Sequence, residues 1–479
     1  MASKFLEALE PVLRVLPEVS RPRRPVSFRE KLFWTGLVLT LYMVMGQIPL
    51  YPLTVREGVY EPLFLLRLIF ASRRGTLLEL GIGPIVTAGL IFQLLVGSKI
   101  ITVDFRDPRD RALYTGAQKF FAIVFTAVEA LAYILGGAYG ELPLWANILI
   151  FVQLMAAGVI IILLDELVQK GWGFGSGVSL FIAAGVAQQI FWLSLSPFIM
   201  EDNLPLGALL AFFAALQNAI VTGDTSALMA AFSRRGLPDM TGFLTMIAVF
   251  LIIAYLEGIR VDVPVVHVRY GGIRGTLPFK LLYVSNVPVI LAGALLANLH
   301  LFSRIAWMRL GEDSWWLRYI AVYEIRERNL ELVGGLLYYL TSPRSLAEAI
   351  SDPVRSAIYV ALFTLICTFF AKAWVETSGM DPRTQAQQLV DAGLQVPGFR
   401  RSPKIIAIIL ERYIPSFTLL SGIIVGLIAA VADMLGALGS GMGILLLIDI
   451  MMQYKAIMDR ERIMERYPGI ARLLGMGRA

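Results

Sequence analysis

Apolar stretches of about 20 residues recur along the whole chain, and that recurrence constrains its fold more than any other feature. A stretch of this length crosses the hydrocarbon core of a bilayer as a helix, which satisfies its own backbone hydrogen bonds there. Ten are legible, at about 32–51, 77–98, 117–138, 144–164, 176–196, 239–258, 281–300, 355–374, 413–433 and 440–456. Only 16% of the 479 residues are charged and 57% are hydrophobic, with a mean hydropathy of +0.70. That is too little charge for a water-soluble surface of this size. The expected fold is an all-α membrane protein of ten transmembrane helices.

The placement of basic residues orients it. With both termini cytosolic, roughly 28 of the 42 Lys and Arg fall on cytosolic segments and about 12 outside, as the positive-inside rule requires. Ten spans divide into two sets of five, 32–196 and 239–456, joined by an external segment, 197–238. An odd-numbered repeat inverts its second copy, so two pseudo-symmetric inverted halves are compatible with the pattern. Residues 1–31 form a cytosolic N-terminal segment, amphipathic over 4–16 and suited to the membrane surface. Residues 457–479 form a cytosolic tail. The stretch Pro62, Leu63, Phe64, Leu65, Leu66, Arg67, Leu68, Ile69, Phe70, Ala71, Ser72 is too short to span. It reads either as a re-entrant segment or as a helix on the outer surface.

Catalytic machinery is not visible. The two histidines, His267 and His300, belong to no metal-ligand spacing, and the glycine runs lack the strand–turn–helix context of a nucleotide loop. The single cysteine, Cys367, lies in an apolar span and reads as a buried small hydrophobe. No cofactor or metal is expected. Charge inside spans marks function by default, because burying it in lipid is costly. Glu79, Glu129 and Asp449 are the clearest cases, with Glu411 and Asp433 nearer the interfaces. Glu129 lacks a basic residue near mid-span, and Asp449, two turns from Lys455, reads as an interfacial pair. This weakens, without removing, the alternative of a secondary transporter for a small solute.

Several blocks follow one another in a recognisable order. They are Leu80-Gly81-Ile82-Gly83-Pro84-Ile85-Val86-Thr87-Ala88-Gly89, Gly175-Ser176-Gly177-Val178, Tyr283-Val284-Ser285-Asn286-Val287-Pro288-Val289-Ile290, Ile350-Ser351-Asp352-Pro353, Trp374-Val375-Glu376-Thr377, Val396-Pro397-Gly398-Phe399-Arg400 and Gly436-Ala437-Leu438-Gly439. Together they resemble the SecY family of protein-conducting channels over nearly the whole chain, closest to its archaeal branch. The resemblance implies a passive pore of the plasma membrane that passes unfolded polypeptides and releases transmembrane segments sideways into lipid. It implies a constriction ring of Ile82, Val86, Val178, Ile182, Ile290 and Leu446, and makes 62–72 the plug. Thr87, Glu129 and Asn298, with Gln93 and Asn286, would line the lateral gate. Arg269, Arg274, Lys280, Arg400 and Arg401 would dock a ribosome through its RNA, where basic side chains neutralise phosphates. Two small membrane subunits, one SecE-type, would complete a heterotrimer. A ring of aliphatic side chains suits such a pore, because it dewets, offers no hydrogen bonds and deforms around a passing chain. The external stretches 197–238 and 301–354 are longer than the family pattern, the second carrying Trp307, Trp315 and Trp316 at a level suited to an interfacial belt. Glu79 stands where a small polar residue is expected and could pair with Arg67, Arg73 or Arg74.

Overall fold

The computed structural model describes residues 4–53, 75–97, 100–104, 107–136, 139–140, 142–199, 204–222, 226–234, 237–267, 273–284, 287–310, 314–326, 329–343, 346–391, 394–395 and 402–466. Ten helices follow the ten apolar stretches: Phe28–Met45, Gly83–Gly97, Pro108–Leu135, Leu144–Leu167, Gly177–Leu195, Met240–Gly258, Val287–Leu310, Pro353–Thr377, Ile414–Met434 and Gly441–Arg466. Among the described residues, eight helices are long and apolar enough by themselves to cross a membrane. The remaining two are the first and second spans: the first carries Arg29, Glu30 and Lys31 in its opening turn, and the second is short.

Local chemistry sets the ends. The first span starts before the apolar stretch does, at a capping box in which the Ser27 hydroxyl accepts the Glu30 N–H and the Glu30 carboxylate accepts the Ser27 N–H. The third starts at Pro108, whose fixed φ suits a first helical turn, with Asp107 as its cap. The second span starts six residues later than its hydropathy suggests. Residues 77–82 form turns in which Gly81 takes a left-handed φ of 54°, a conformation that glycine adopts without strain. The tenth continues to Arg466 beyond its apolar part. There Glu461 pairs with Lys31 of the first span at 2.7 Å, both side chains largely covered.

The eighth and ninth spans cross most closely. A Cβ on Gly426 would stand 2.9 Å from Thr364 Cα, and one on Gly422 would stand 2.8 Å from Thr368 Cα. Lipid supplies no hydrophobic drive between helices, so such small residues, which let backbones approach, carry the association. Cys367 is buried in this crossing, as its place in an apolar span suggests. The N-terminal helix Lys4–Leu13 docks on the protein as well as facing outward: Leu6 is fully buried with Phe92, Leu113 and Ala117 of the second and third spans, while Phe5 stays exposed.

The connections hold more structure than their polarity suggests. Strands Arg260–His267 and Ile273–Lys280 pair antiparallel between the sixth and seventh spans. The short strand Leu394–Gln395, between the eighth and ninth, joins the same sheet through His267–Leu394 and Val266–Gln395. On the opposite face, 197–238 contains the helices Ala208–Thr222 and Ser226–Phe232. The stretch 301–354 folds as an extension of the seventh span, short helices and the hairpin Val322–Arg326 with Asn329–Gly334. Trp307 is buried there against Tyr323, ring centroids 5.9 Å apart, so it serves this module's core and no belt. Trp315 and Trp316 are exposed.

Candidate functional site

All six residues expected to form the ring fall in one apolar cluster. Ile82, Ile182 and Leu446 are buried within it, and Val86, Val178 and Ile290 are half-buried against it. Four elements contribute: the start of the second span, the fifth, the seventh and the tenth. The wall behind them is closed by Tyr42 of the first span stacked on Phe181 of the fifth, centroids 4.2 Å apart and planes 13° from parallel. Ile161, Val186 and Ile450 fill the surround. The result is a plug of hydrocarbon with no polar side chain among its six central members.

Val86, Val178 and Ile290 form the floor of a cavity of about 390 Å³ on the side of the bundle where the N-terminal segment lies. Its walls come from the second, third, fourth, seventh and eighth spans, and include Gln93, Gln118, Asp165, Gln169 and Trp374. Lys119 and Glu166 pair at its edge at 2.7 Å, and the Lys119 ammonium also donates to the carbonyl of Pro17. The site is thus a mostly apolar funnel that carries a few polar side chains and has aliphatic groups at its floor.

Asp165 holds the ring from this side, and sequence reasoning passed over it as the end of an apolar stretch. Its carboxylate accepts the backbone N–H of Val178 at 2.9 Å, the Gln169 amide at 2.8 Å and the Ser176 hydroxyl at 3.4 Å. It therefore caps the fifth span, because Ser176, the residue at the cap position, makes no side-chain cap bond. The Tyr454 hydroxyl of the tenth span donates to the Ser176 carbonyl at 2.6 Å. The only sequence signal was a carboxylate at the edge of the apolar stretch 144–164, whereas Glu129 falls inside one.

The gate residues are placed less closely together. Thr87 carries a buried hydroxyl without a hydrogen-bond partner among the described residues, Glu129 is buried on the third span, and the Asn298 amide donates to the Ala294 carbonyl of its own helix at 3.0 Å. Among the described residues no hydrogen bond joins these three. Gln93 faces the funnel beside Val287 and Leu291 of the seventh span. Asn286, the plug stretch 62–72 and Arg269, Arg400 and Arg401 lie outside the described residues; Arg274 lies on the strand Ile273–Lys280. Lys280 is bound to the buried Glu257 at 3.0 Å, which ties it to the end of the sixth span.

Two further carboxylates are buried. Asp449 accepts the Gln453 amide at 2.8 Å, one turn along its own helix. Glu79 is also buried and accepts the backbone N–H of Gly75, closing the turn just before the second span. Arg67, Arg73 and Arg74 lie outside the described residues.

A bundle of ten helices, most of them long and apolar enough to cross a bilayer, is the architecture of a polytopic membrane protein. A family model described as SecY matches residues 76–455, and one described as the plug domain of Sec61p matches 41–75. The chain belongs to the SecY family. It is 39% identical to the protein translocase subunit SecY of Aeropyrum pernix over 482 aligned residues, covering 98% of each chain. Among solved structures it is similar to that of a protein-conducting channel (38% identity, TM-score 0.79, covering 97% of this chain and 99% of the other). It is also similar to Sec61 in the canine ribosome–channel complex of the endoplasmic reticulum (38% identity, TM-score 0.77, 97% and 99% covered). It is an integral, multi-pass membrane protein and the channel-forming member of a protein translocase.

Proposed function

We propose that polypeptides cross through the ring Ile82, Val86, Val178, Ile182, Ile290 and Leu446, and that the halves 32–196 and 239–456 part along the second and seventh spans to release apolar segments into lipid. The observation that carries this is the single apolar cluster that holds all six side chains, three of which, Val86, Val178 and Ile290, line the funnel. In an idle channel these aliphatic groups exclude water and ions. The plug at 62–72 covers them from the external side. Thr87, Gln93, Glu129, Asn286 and Asn298 line the seam. Interhelical hydrogen bonds in lipid contribute on the order of 0.6–2 kcal/mol each, little enough for an inserting signal sequence to displace.

Both termini lie in the cytosol, as the excess of basic residues on that side favours. The membrane is the plasma membrane. Arg269, Arg274, Lys280, Arg400 and Arg401 meet ribosomal RNA, and a SecE-type subunit with a second small membrane subunit completes the complex. The similarity to a channel bound to the ribosome supports this reading. A stalled nascent chain carrying a photoreactive group should label Ile82, Val178, Ile290 or Leu446 during translocation. Labelling confined to lipid-facing positions such as Phe369 would overturn the assignment.

A further inference from the structure

The helix Ala208–Thr222, on the face opposite the termini, has its side chains arranged inside out for a helix in water. Its fully buried residues are alanines: Ala208, Ala211 and Ala215, with Ala231 of the following short helix beneath them. Of its large apolar side chains, Leu209, Leu210, Phe212 and Leu216 are half-buried, whereas Phe213 is 55% exposed, Ile220 76% and Val221 78%, and Met229 on the neighbouring helix is 79% exposed. A water-facing helix does the reverse, burying its large apolar stripe and exposing charge. Small residues inside and large aliphatic ones outside is the pattern of a helix in lipid. From Leu204 to Thr222 there is no charged residue.

The surroundings point to the same solvent. The fifth span ends in exposed Phe191, Trp192, Phe198 and Ile199, lipid-facing groups at the level where aromatic side chains collect. The Ser196 and Phe198 carbonyls accept the Gly207 and Leu206 N–H groups at 2.9 and 2.6 Å, so the two apolar surfaces are continuous. Fifteen helical residues reach about 22 Å, short of the roughly 30 Å of the hydrocarbon core, so the helix cannot span. Arg234 closes the base of the hairpin by donating to the Pro205, Leu206 and Pro238 carbonyls, which fixes both ends of the excursion.

We propose that Ala208–Thr222 is seated in the lipid leaflet opposite the termini, with Phe213, Ile220 and Val221 against acyl chains. It thereby forms a membrane-embedded buttress at the junction of the two five-helix halves. This rests on the membrane placement of the fold and not on the identity of what the channel carries.

The test uses the full chain in proteoliposomes, with Cys367→Ala removing the native thiol and a nitroxide attached at F213C, I220C or V221C. Accessibility to oxygen and to a water-soluble nickel chelate is read for each label. The references are labels at F369C on the lipid-facing side of the eighth span and at Q388C on a water-facing helix. The expected result is oxygen access and nickel exclusion at all three sites, matching F369C. Nickel access matching Q388C would show a water-facing hairpin, and exclusion of both reagents would show a protein partner covering it. Either result overturns the proposal, whether or not nascent chains label the ring.

Discussion

The carboxylate of Asp165, at the end of the fourth span, accepts the backbone N–H of Val178, a ring residue, at 2.9 Å. The start of the fifth span, where Val178 sits, is thus held by the fourth span through Asp165 and by the tenth through Tyr454.

Replacing Asp165 with Ala should free the start of the fifth span. A side-chain cap contributes about 1–2 kcal/mol, so a modest loss of thermal stability is expected. The resting ion conductance in planar bilayers should rise with it. Asp165→Asn keeps an acceptor oxygen and should leak less than the Ala variant. Equal leak in the two would mean that the cap does not govern the seal.

Polar substitution within the ring should act more strongly. Burying a leucine side chain contributes about 1.5–3 kcal/mol, so Leu446→Asn should raise the leaking fraction roughly tenfold or more. Ile82→Asn and Ile182→Asn should do the same, because both side chains are as deeply buried. Single-channel recording of the purified complex measures this directly.

The crossing of the eighth and ninth spans offers a test of stability without reference to transport. Gly426→Leu forces a side chain against Thr364 and Cys367, and overpacking of this kind costs about 1–3 kcal/mol. Cys367 is the single thiol, and it is buried. Its reaction with a fluorogenic maleimide on heating therefore reports unfolding, and the variant should react at a lower temperature.

The docking of the N-terminal helix should depend on pH. Hydrogen bonds from Arg14 and then Arg109 hold the Glu10 carboxyl below its ordinary range. A carboxyl whose pKa is lowered in the folded state adds stability above the ordinary range, and that contribution is lost as pH falls through the lowered value. Acidification should loosen Lys4–Leu13 from the third span, and Glu10→Gln should weaken the docking already at neutral pH. Cross-linking between cysteines introduced at Leu13 and Gly116, which face each other, measures it.

Length and apolarity alone located ten helices, because lipid demands both of a spanning segment. They misplaced ends where a polar residue decides, as at Ser27 and at the turns before Gly83. The helix Ala208–Thr222 was absorbed into a connecting segment, being apolar yet too short to cross. The ring was legible only through the resemblance of its flanking motifs: Ile82 or Leu446, taken singly, has the character of any packed aliphatic residue. Asp165 escaped notice because nothing in its neighbours on the chain announces that Val178, thirteen residues on, returns to it.

The strand Leu394–Gln395 binds the connection between the eighth and ninth spans to the hairpin between the sixth and seventh. Two loops distant in sequence thus share one handle. Whatever grips either of them meets a pair at fixed spacing, and a force applied to one is transmitted to both. Recognition at this face would then read a shape as well as a charge, and the same grip could lever the C-terminal half as a unit.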